Sequence, residues 1–275
     1  MTAPHLIPST DDVRVAVHEL GGDGPPLLLC HATGFHGRCW DPTAAHLTDR
    51  YRVLAVDLRG HGDSQVPDGF DVDWAGFGHD VLAVIDALDL APIRCAGWSM
   101  GGASIVLAEL TRPGTVRSAF LFEPILFPPP PPGTTSPMVG GARKRREVFA
   151  SRDEAFENYE GRPPFQQCST EGLRAYVDHG FRDLPDGTVH IKCRGETEAR
   201  VYETHDNGAF ARLGELTGPT ITLGMSGDGG RPAELVPMVA PLIPGATVVH
   251  FDELTHLAPM EDGAAVGTAV AAAVE

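Results

Sequence analysis

Chemistry is concentrated in Cys95-Ala96-Gly97-Trp98-Ser99-Met100-Gly101-Gly102, which sets Ser99 within the pattern G-x-S-x-G. A short apolar run, Pro92 to Ala96, precedes it and reads as a buried strand, and Ala103 to Leu110 follows as a closely packed helix. At such a strand-to-helix turn the serine backbone is strained and the hydroxyl is lifted clear of the sheet edge. Gly97 and Gly101 suit the turn, because a Cβ at either place would strike a neighbouring element. The helix also directs its N-terminal dipole at this spot, where negative charge is stabilised. The chemistry would be nucleophilic attack. A serine hydroxyl is a poor nucleophile near neutral pH, so it needs a base, a carboxylate to orient that base, and two N–H donors for the oxyanion. Met100, directly after the serine, supplies one donor by geometry. Without such partners the pentapeptide is a tight turn whose serine caps a helix.

The elements that must position these groups alternate along the chain. Val13 to Leu20 reads as a strand, Pro25 to His31 as a buried strand running into the loop His31-Ala32-Thr33-Gly34-Phe35, and Trp40 to Leu47 as a short helix. Arg52 to Asp57 is the next strand, followed by Leu58-Arg59-Gly60-His61-Gly62-Asp63-Ser64. Trp74, Phe77, Val81, Val84, Ile85 and Leu88 mark one face of a helix over Asp73 to Leu90. After the Ser99 turn, Val116 to Glu123 is a strand that ends at a carboxylate. Strand and helix alternating in this way predict an α/β fold with a mainly parallel sheet.

The alternation stops at Pro124. Pro128 to Pro132 is a stiff extended spacer. Gly141 to Glu160 and Glu171 to Arg182 read as exposed helices with no strong strand between them, and Arg143-Lys144-Arg145-Arg146 as a solvated helix face. The alternation resumes with a strand over Pro219 to Gly224 and the turn at Asp228. A helix over about Pro232 to Leu242, a strand over Ala246 to Phe251, the loop holding His256 and an alanine-rich last helix complete it. The expected organisation is a core of residues 1–126 and 214–275 with a mostly helical cap over 127–213.

Composition narrows the classes. A chain of 275 residues that is 42% hydrophobic can bury one sizeable core. The net charge of −16 argues against nucleic acid and anionic membrane surfaces as partners. Between Ile125 and Glu215 the chain is near neutral, with 12 basic against 14 acidic residues, which suggests a separate layer. No apolar run is long enough to span a membrane and no secretory leader is evident. Cys30, Cys39, Cys95, Cys168 and Cys193 are odd in number and lack metal-ligand spacing, so neither a disulfide framework nor a zinc site is expected and a cytoplasmic location is.

Four stretches in this order resemble the α/β-hydrolase superfamily over essentially the whole chain. They are the His31 to Phe35 loop, Asp57 to Ser64, the elbow at Ser99, and Thr255-His256-Leu257-Ala258-Pro259-Met260-Glu261. The chain is similar in particular to its capped members, which include esterases, lactonases and carbon–carbon bond hydrolases. A serine at position 99 departs from epoxide hydrolases and haloalkane dehalogenases, which carry an aspartate there. The resemblance implies His256 as the base. For its acid partner it implies either Asp228, after the penultimate strand, or Glu123, a position resembling that of the fungal zearalenone lactonases. The separation of 24 residues from Ser99 to Glu123 suits one helix and one strand returning beside the elbow. A carboxylate closing an apolar strand before Pro124 needs a partner more than a loop aspartate does, which favours Glu123. Thr33 or Ala32 would complete the oxyanion site with Met100; glycine is usual in the family where Ala32 stands. His31 would brace that loop.

Phe35 and Trp98, with Phe149, Tyr159 and Phe165 of the cap, would form substrate walls suited to an apolar or aromatic group. The reading is a serine hydrolase of a small-molecule carboxylic ester or lactone, working without metal or organic cofactor. The alternatives are a carbon–carbon bond hydrolase, with a second carboxylate held by the arginines at 143, 145 and 146, and a non-catalytic small-molecule binder. Oligomeric state is left open, a homodimer included.

Overall fold

The computed structural model describes residues 3–129, 131, 133–204 and 206–275. Eight strands form one sheet: β1 (His5–Pro8), β2 (Arg14–Gly21), β3 (Pro26–Cys30), β4 (Arg52–Asp57), β5 (Ile93–Trp98), β6 (Val116–Phe122), β10 (Thr220–Ser226) and β11 (Thr247–Phe251). Their spatial order is β1-β2-β4-β3-β5-β6-β10-β11. The β1–β2 and β2–β4 pairs are antiparallel and the remaining neighbours are parallel.

The apolar runs seen in sequence are continuous because this sheet is covered on both faces. Leu28, Cys30, Leu54, Val56, Cys95 and Leu121 face one layer, containing helices α2 (Trp74–Ala87), α3 (Met100–Thr111) and α8 (Arg231–Val239). Their neighbours Leu27, Leu29, Val53, Ala55, Ala96, Trp98, Phe120 and Phe122 face the other, with α1 (Asp41–Ala44), α9 (Ala258–Glu261) and α10 (Gly263–Val274). The strand period of two thus divides one apolar run between two cores.

Between β6 and β10 lie helices α4 (Met138–Arg143), α5 (Arg152–Tyr159), α6 (Thr170–Gly180) and α7 (Gly195–Glu203). The stretch read as helix without strands also holds a three-stranded antiparallel sheet, β7 (Val148–Phe149), β8 (Phe181–Asp183) and β9 (Val189–Ile191), in the order β7-β9-β8. Strands of two and three residues are too short to show a period. Apolar side chains from this region, Phe149, Phe156, Leu173, Val177 and Ile191, join the second core. Pro130 and Pro132 of the proline run lie outside the described residues. Among the described residues no helix is long and apolar enough to cross a membrane.

A buried ion pair ties the stretch after β4 to α2. Arg59 is 1% exposed, and Asp80, fully buried, accepts from its backbone N–H at 2.9 Å, Nε at 3.0 Å and Nη2 at 3.0 Å. Ser9 Oγ also donates to Asp80, at 2.6 Å. Gly76 is required where it stands: a Cβ would lie 2.1 Å from Arg59 Nη1. Removing one partner of such a pair leaves the other buried and uncompensated. Arg59→Met is therefore expected to lower the unfolding free energy by about 3–5 kcal/mol in urea titration. The double variant Arg59→Met/Asp80→Leu should recover much of it, and a single-variant loss within about 1 kcal/mol would contradict this account.

Candidate active site

Ser99 sits between β5 and α3 with φ 57° and ψ −113°, the left-handed side of backbone space that L-residues avoid. The neighbouring β6 end holds it there: Ser99 N–H donates to Phe122 O at 2.9 Å and Ser99 O accepts from Ile125 N–H at 3.2 Å. The flanking glycines admit close backbone approach. A Cβ on Gly97 would stand 2.6 Å from Gly102 Cα, and one on Gly101 would stand 2.2 Å from Cys30 O and 2.7 Å from His31 O. The first turn of α3 is thus pressed against the start of the His31 loop. Ser99 is 5% exposed and Met100, the first helical residue, is buried.

Glu123 follows β6 with φ 44° and is fully buried. Its backbone N–H donates to Gly224 O at 3.0 Å, extending the β6–β10 pairing by one bond. The carboxylate receives two hydrogen bonds. Ser226 N–H donates to Oε1 at 2.7 Å, and His256 Nδ1 lies 2.5 Å from Oε2. Because a carboxylate accepts, Nδ1 carries a proton, and in the neutral imidazole the acceptor nitrogen is then Nε2. The imidazole lies 6.0 Å from the Trp98 ring and 6.4 Å from Phe122 between centroids, beside the elbow.

Asp228 is in the same neighbourhood with a different set of contacts. Its Oδ1 is 3.0 Å from Ser226 Oγ and accepts from Gly230 N–H at 2.7 Å, while Oδ2 accepts from the backbone N–H of His256 at 3.3 Å. It secures the loop on which His256 is carried; the carboxylate on the ring nitrogen is that of Glu123.

The His31 loop is locked by its own histidine. Leu58 N–H donates to His31 Nε2 at 3.0 Å, so Nδ1 holds the proton and donates to Ala32 O at 2.7 Å. Burial holds the His31 pKa down to about 3, with His61 nearby acting in the same direction. Phe35 N–H also donates to Ala32 O, at 3.1 Å, and Ala32 and Thr33 are both buried. Asp57 braces the same region, accepting from Gly37 N–H at 2.6 Å, Asp63 N–H at 2.7 Å and His18 Nε2 at 2.9 Å. His18, Asp57 and Asp63 converge within 4.8 Å of one another, the spacing of a ligand set, yet Asp57 is committed to those donors and Asp63 pairs with Lys192 at 2.6 Å.

Aromatic rings cover the elbow. Phe35 lies 4.6 Å from Trp98, 6.0 Å from Phe165 and 5.3 Å from Tyr176, and Tyr159 lies 5.0 Å from Phe165 and 5.9 Å from Phe149. Tyr176 was not anticipated; its place on α6 has no sequence signal beyond helical burial. The run Arg143 to Arg146 is also not one solvated helix face, because α4 ends at Arg143. Arg143 and Arg146 meet surface glutamates, whereas Arg145 turns inward to Glu198 at 2.7 Å. A cleft of about 320 Å³ lined by His18, Glu19, Arg38, Asp41 and Thr48 is formed elsewhere, between β2 and α1.

Residues 27–269 match the alpha/beta hydrolase family, and the chain belongs to it. Among its relatives, it is 33% identical over 111 residues to the (E)-2-((N-methylformamido)methylene)succinate hydrolase of Acinetobacter baylyi, covering 38% of this chain and 39% of that one. It is 37% identical over 103 residues to the pimeloyl-[acyl-carrier protein] methyl ester esterase of Methylococcus capsulatus, covering 38% of each. These alignments span about two fifths of the relatives' length. The crystal structure of E-2-(acetamidomethylene)succinate hydrolase superposes with a TM-score of 0.81 at 20% identity, over 98% of this chain and 99% of that one.

Buried histidines make stability depend on pH. Burial lowers the pKa values of His31 and His36 to about 3 and also lowers that of His61. In the unfolded chain these groups titrate near 6.5, so acidification protonates the unfolded state first and stability falls between about pH 6.5 and 3. His18 acts oppositely: burial lowers its pKa, but the hydrogen bond and charge of Asp57 outweigh this and raise it, so its contribution is kept in acid. Three groups outweigh one. The thermal midpoint should fall from pH 7 to pH 5, and a flat or rising midpoint would contradict this.

Proposed function

We propose that the chain is a serine hydrolase that cleaves a carboxylic ester or lactone of a small, largely apolar or aromatic substrate through an acyl-enzyme. The observation that carries this reading is the buried Glu123 carboxylate on His256 Nδ1, beside a serine held at φ 57°. That contact leaves Nε2 as the basic nitrogen of an oriented imidazole, which is what a serine hydroxyl needs. The methyl ester esterase among its relatives supports the ester as substrate.

In the proposed reaction His256 Nε2 takes the Ser99 proton as Oγ attacks the carbonyl carbon. Glu123 keeps the imidazole in the right tautomer and stabilises its positive charge. The backbone N–H groups of Met100 and of Thr33 or Ala32 hold the oxyanion, supported by the His31 brace on that loop. Imidazolium then protonates the departing alkoxide, and water activated by the same histidine releases the acid. In a lactone the alkoxide remains tethered to the acyl group. Residues 127–213 act as a cap, with Phe35, Trp98, Phe149, Tyr159 and Phe165 as walls of the substrate site. Free thiols at all five cysteines fit the cytoplasmic location expected for this reading.

Hydrolysis of a panel of p-nitrophenyl esters and aromatic lactones tests the reading. Ser99→Ala should abolish turnover. Glu123→Gln should lower kcat by about 10³- to 10⁴-fold, while Asp228→Asn should cost within about tenfold. A larger loss in Asp228→Asn than in Glu123→Gln would reassign the acid, and unchanged turnover in Ser99→Ala would overturn the mechanism.

A further inference from the structure

One buried cluster holds polar groups that take no part in the proposed bond-breaking steps. Arg145 is 15% exposed, and its guanidinium lies over the rings of Tyr159 and Tyr176, at 5.9 and 5.8 Å from their centroids. Its Nη1 donates to Glu198 Oε2 at 2.7 Å and the guanidinium also meets the Tyr159 hydroxyl, contacts that do not use all five N–H donors of the fork. Glu198 is itself held in place: Tyr202 Oη donates to Oε1 at 3.1 Å. Both ring hydroxyls are buried, that of Tyr159 against the guanidinium, and among the described residues that of Tyr176 has no hydrogen-bond partner. A buried hydroxyl without a partner costs free energy; the Tyr176 O–H, and the Tyr159 O–H whose oxygen faces the cation, are donors awaiting an acceptor.

The cluster adjoins the site. A Cβ on Gly34 would lie 2.9 Å from Glu198 Oε1, so the Arg145–Glu198 pair rests against the residue after Thr33. Tyr176 touches Phe35 at 5.3 Å, and Phe35 touches Trp98, next to Ser99, at 4.6 Å. An acyl chain lying along these rings would bring its far end to Arg145.

Resting on the hydrolase reading, we propose that Arg145, with the hydroxyls of Tyr159 and Tyr176, binds a carboxylate of the substrate, so that the preferred ester or lactone carries a negative charge remote from the scissile bond. A guanidinium edge and two phenolic O–H donors match the acceptors of a carboxylate, which has no proton to offer in return. A neutral substrate would leave the free edge of the guanidinium and both O–H groups without an acceptor, and such unmet groups are a strong source of discrimination.

The test compares mono-p-nitrophenyl glutarate with p-nitrophenyl valerate, which have chains of the same length and differ in the terminal carboxylate. Wild type should favour the glutarate ester in kcat/KM by about 10- to 100-fold. In Arg145→Met that preference should collapse, mainly through KM, and Arg145→Lys should restore it only in part. Tyr176→Phe should erode the preference by about threefold to tenfold. A purely structural role for Arg145 would depress both esters together and leave the ratio unchanged, which would overturn the proposal; so would a wild type without preference. Calorimetry with glutarate on the same proteins separates the two readings. Glutarate binding that is lost in Arg145→Met, in a protein that hydrolyses neither ester, would sink the hydrolase reading and keep the anion site. Hydrolysis of both esters with no Arg145-dependent binding would do the reverse.

Discussion

The contact between Glu123 and His256 is the constraint on which the rest of the site depends. A fully buried carboxylate is tolerated only where donors meet it, and Glu123 has two, Ser226 N–H and His256 Nδ1. Both donors come from β10 and the loop beyond β11, more than 100 residues away in sequence. They reach Glu123 because β6 and β10 are parallel neighbours whose register sets Phe122 beside Gly224. Gly224 is required at that crossing, since a Cβ there would stand 2.6 Å from the Phe122 ring. Asp228 serves the same contact from below, by fixing the backbone N–H of His256.

Two residues adopt left-handed backbone at this edge of the sheet, Ser99 at φ 57° and Glu123 at φ 44°. Strain of this kind costs on the order of 1–3 kcal/mol per residue and persists only where the surroundings over-determine it. Ser99 N–H on Phe122 O ties one to the end of the strand that carries the other. The two strained residues are therefore parts of one rigid edge, with a buried sheet behind it covered on both faces. The glycines at 97, 101 and 102 let α3 press against this edge, and His31 clamps the facing loop from outside.

Much of this was legible in sequence because the buried strands are continuous apolar runs bounded by turns. Arg52–Asp57 is a strand over the same residues that the pattern marked, and α2 begins one residue after its expected start because Asp73 is its cap. The edge strand His5–Pro8 and the short strands around Phe149 and Ile191 escaped notice, since two to four residues carry no readable period. The choice between Glu123 and Asp228 could not be made from spacing, as both follow strands that end beside the elbow. What separates them is a ring nitrogen against a backbone N–H. Arg145 was one of three arginines that the sequence offered to a second carboxylate in the alternative reading; what singles it out is the end of α4 at Arg143, after which it turns inward while Arg143 and Arg146 stay at the surface.

The most direct test of this account is proton NMR of the protein with ¹⁵N-labelled histidine, following the Nδ1–H of His256. A hydrogen bond to a buried carboxylate should give a downfield imidazole proton, absent from His256→Ala, that survives Asp228→Asn and is lost or moved strongly upfield in Glu123→Gln. A downfield resonance that persists in Glu123→Gln and disappears in Asp228→Asn would show that Asp228 holds the imidazole, and would contradict the account at its centre.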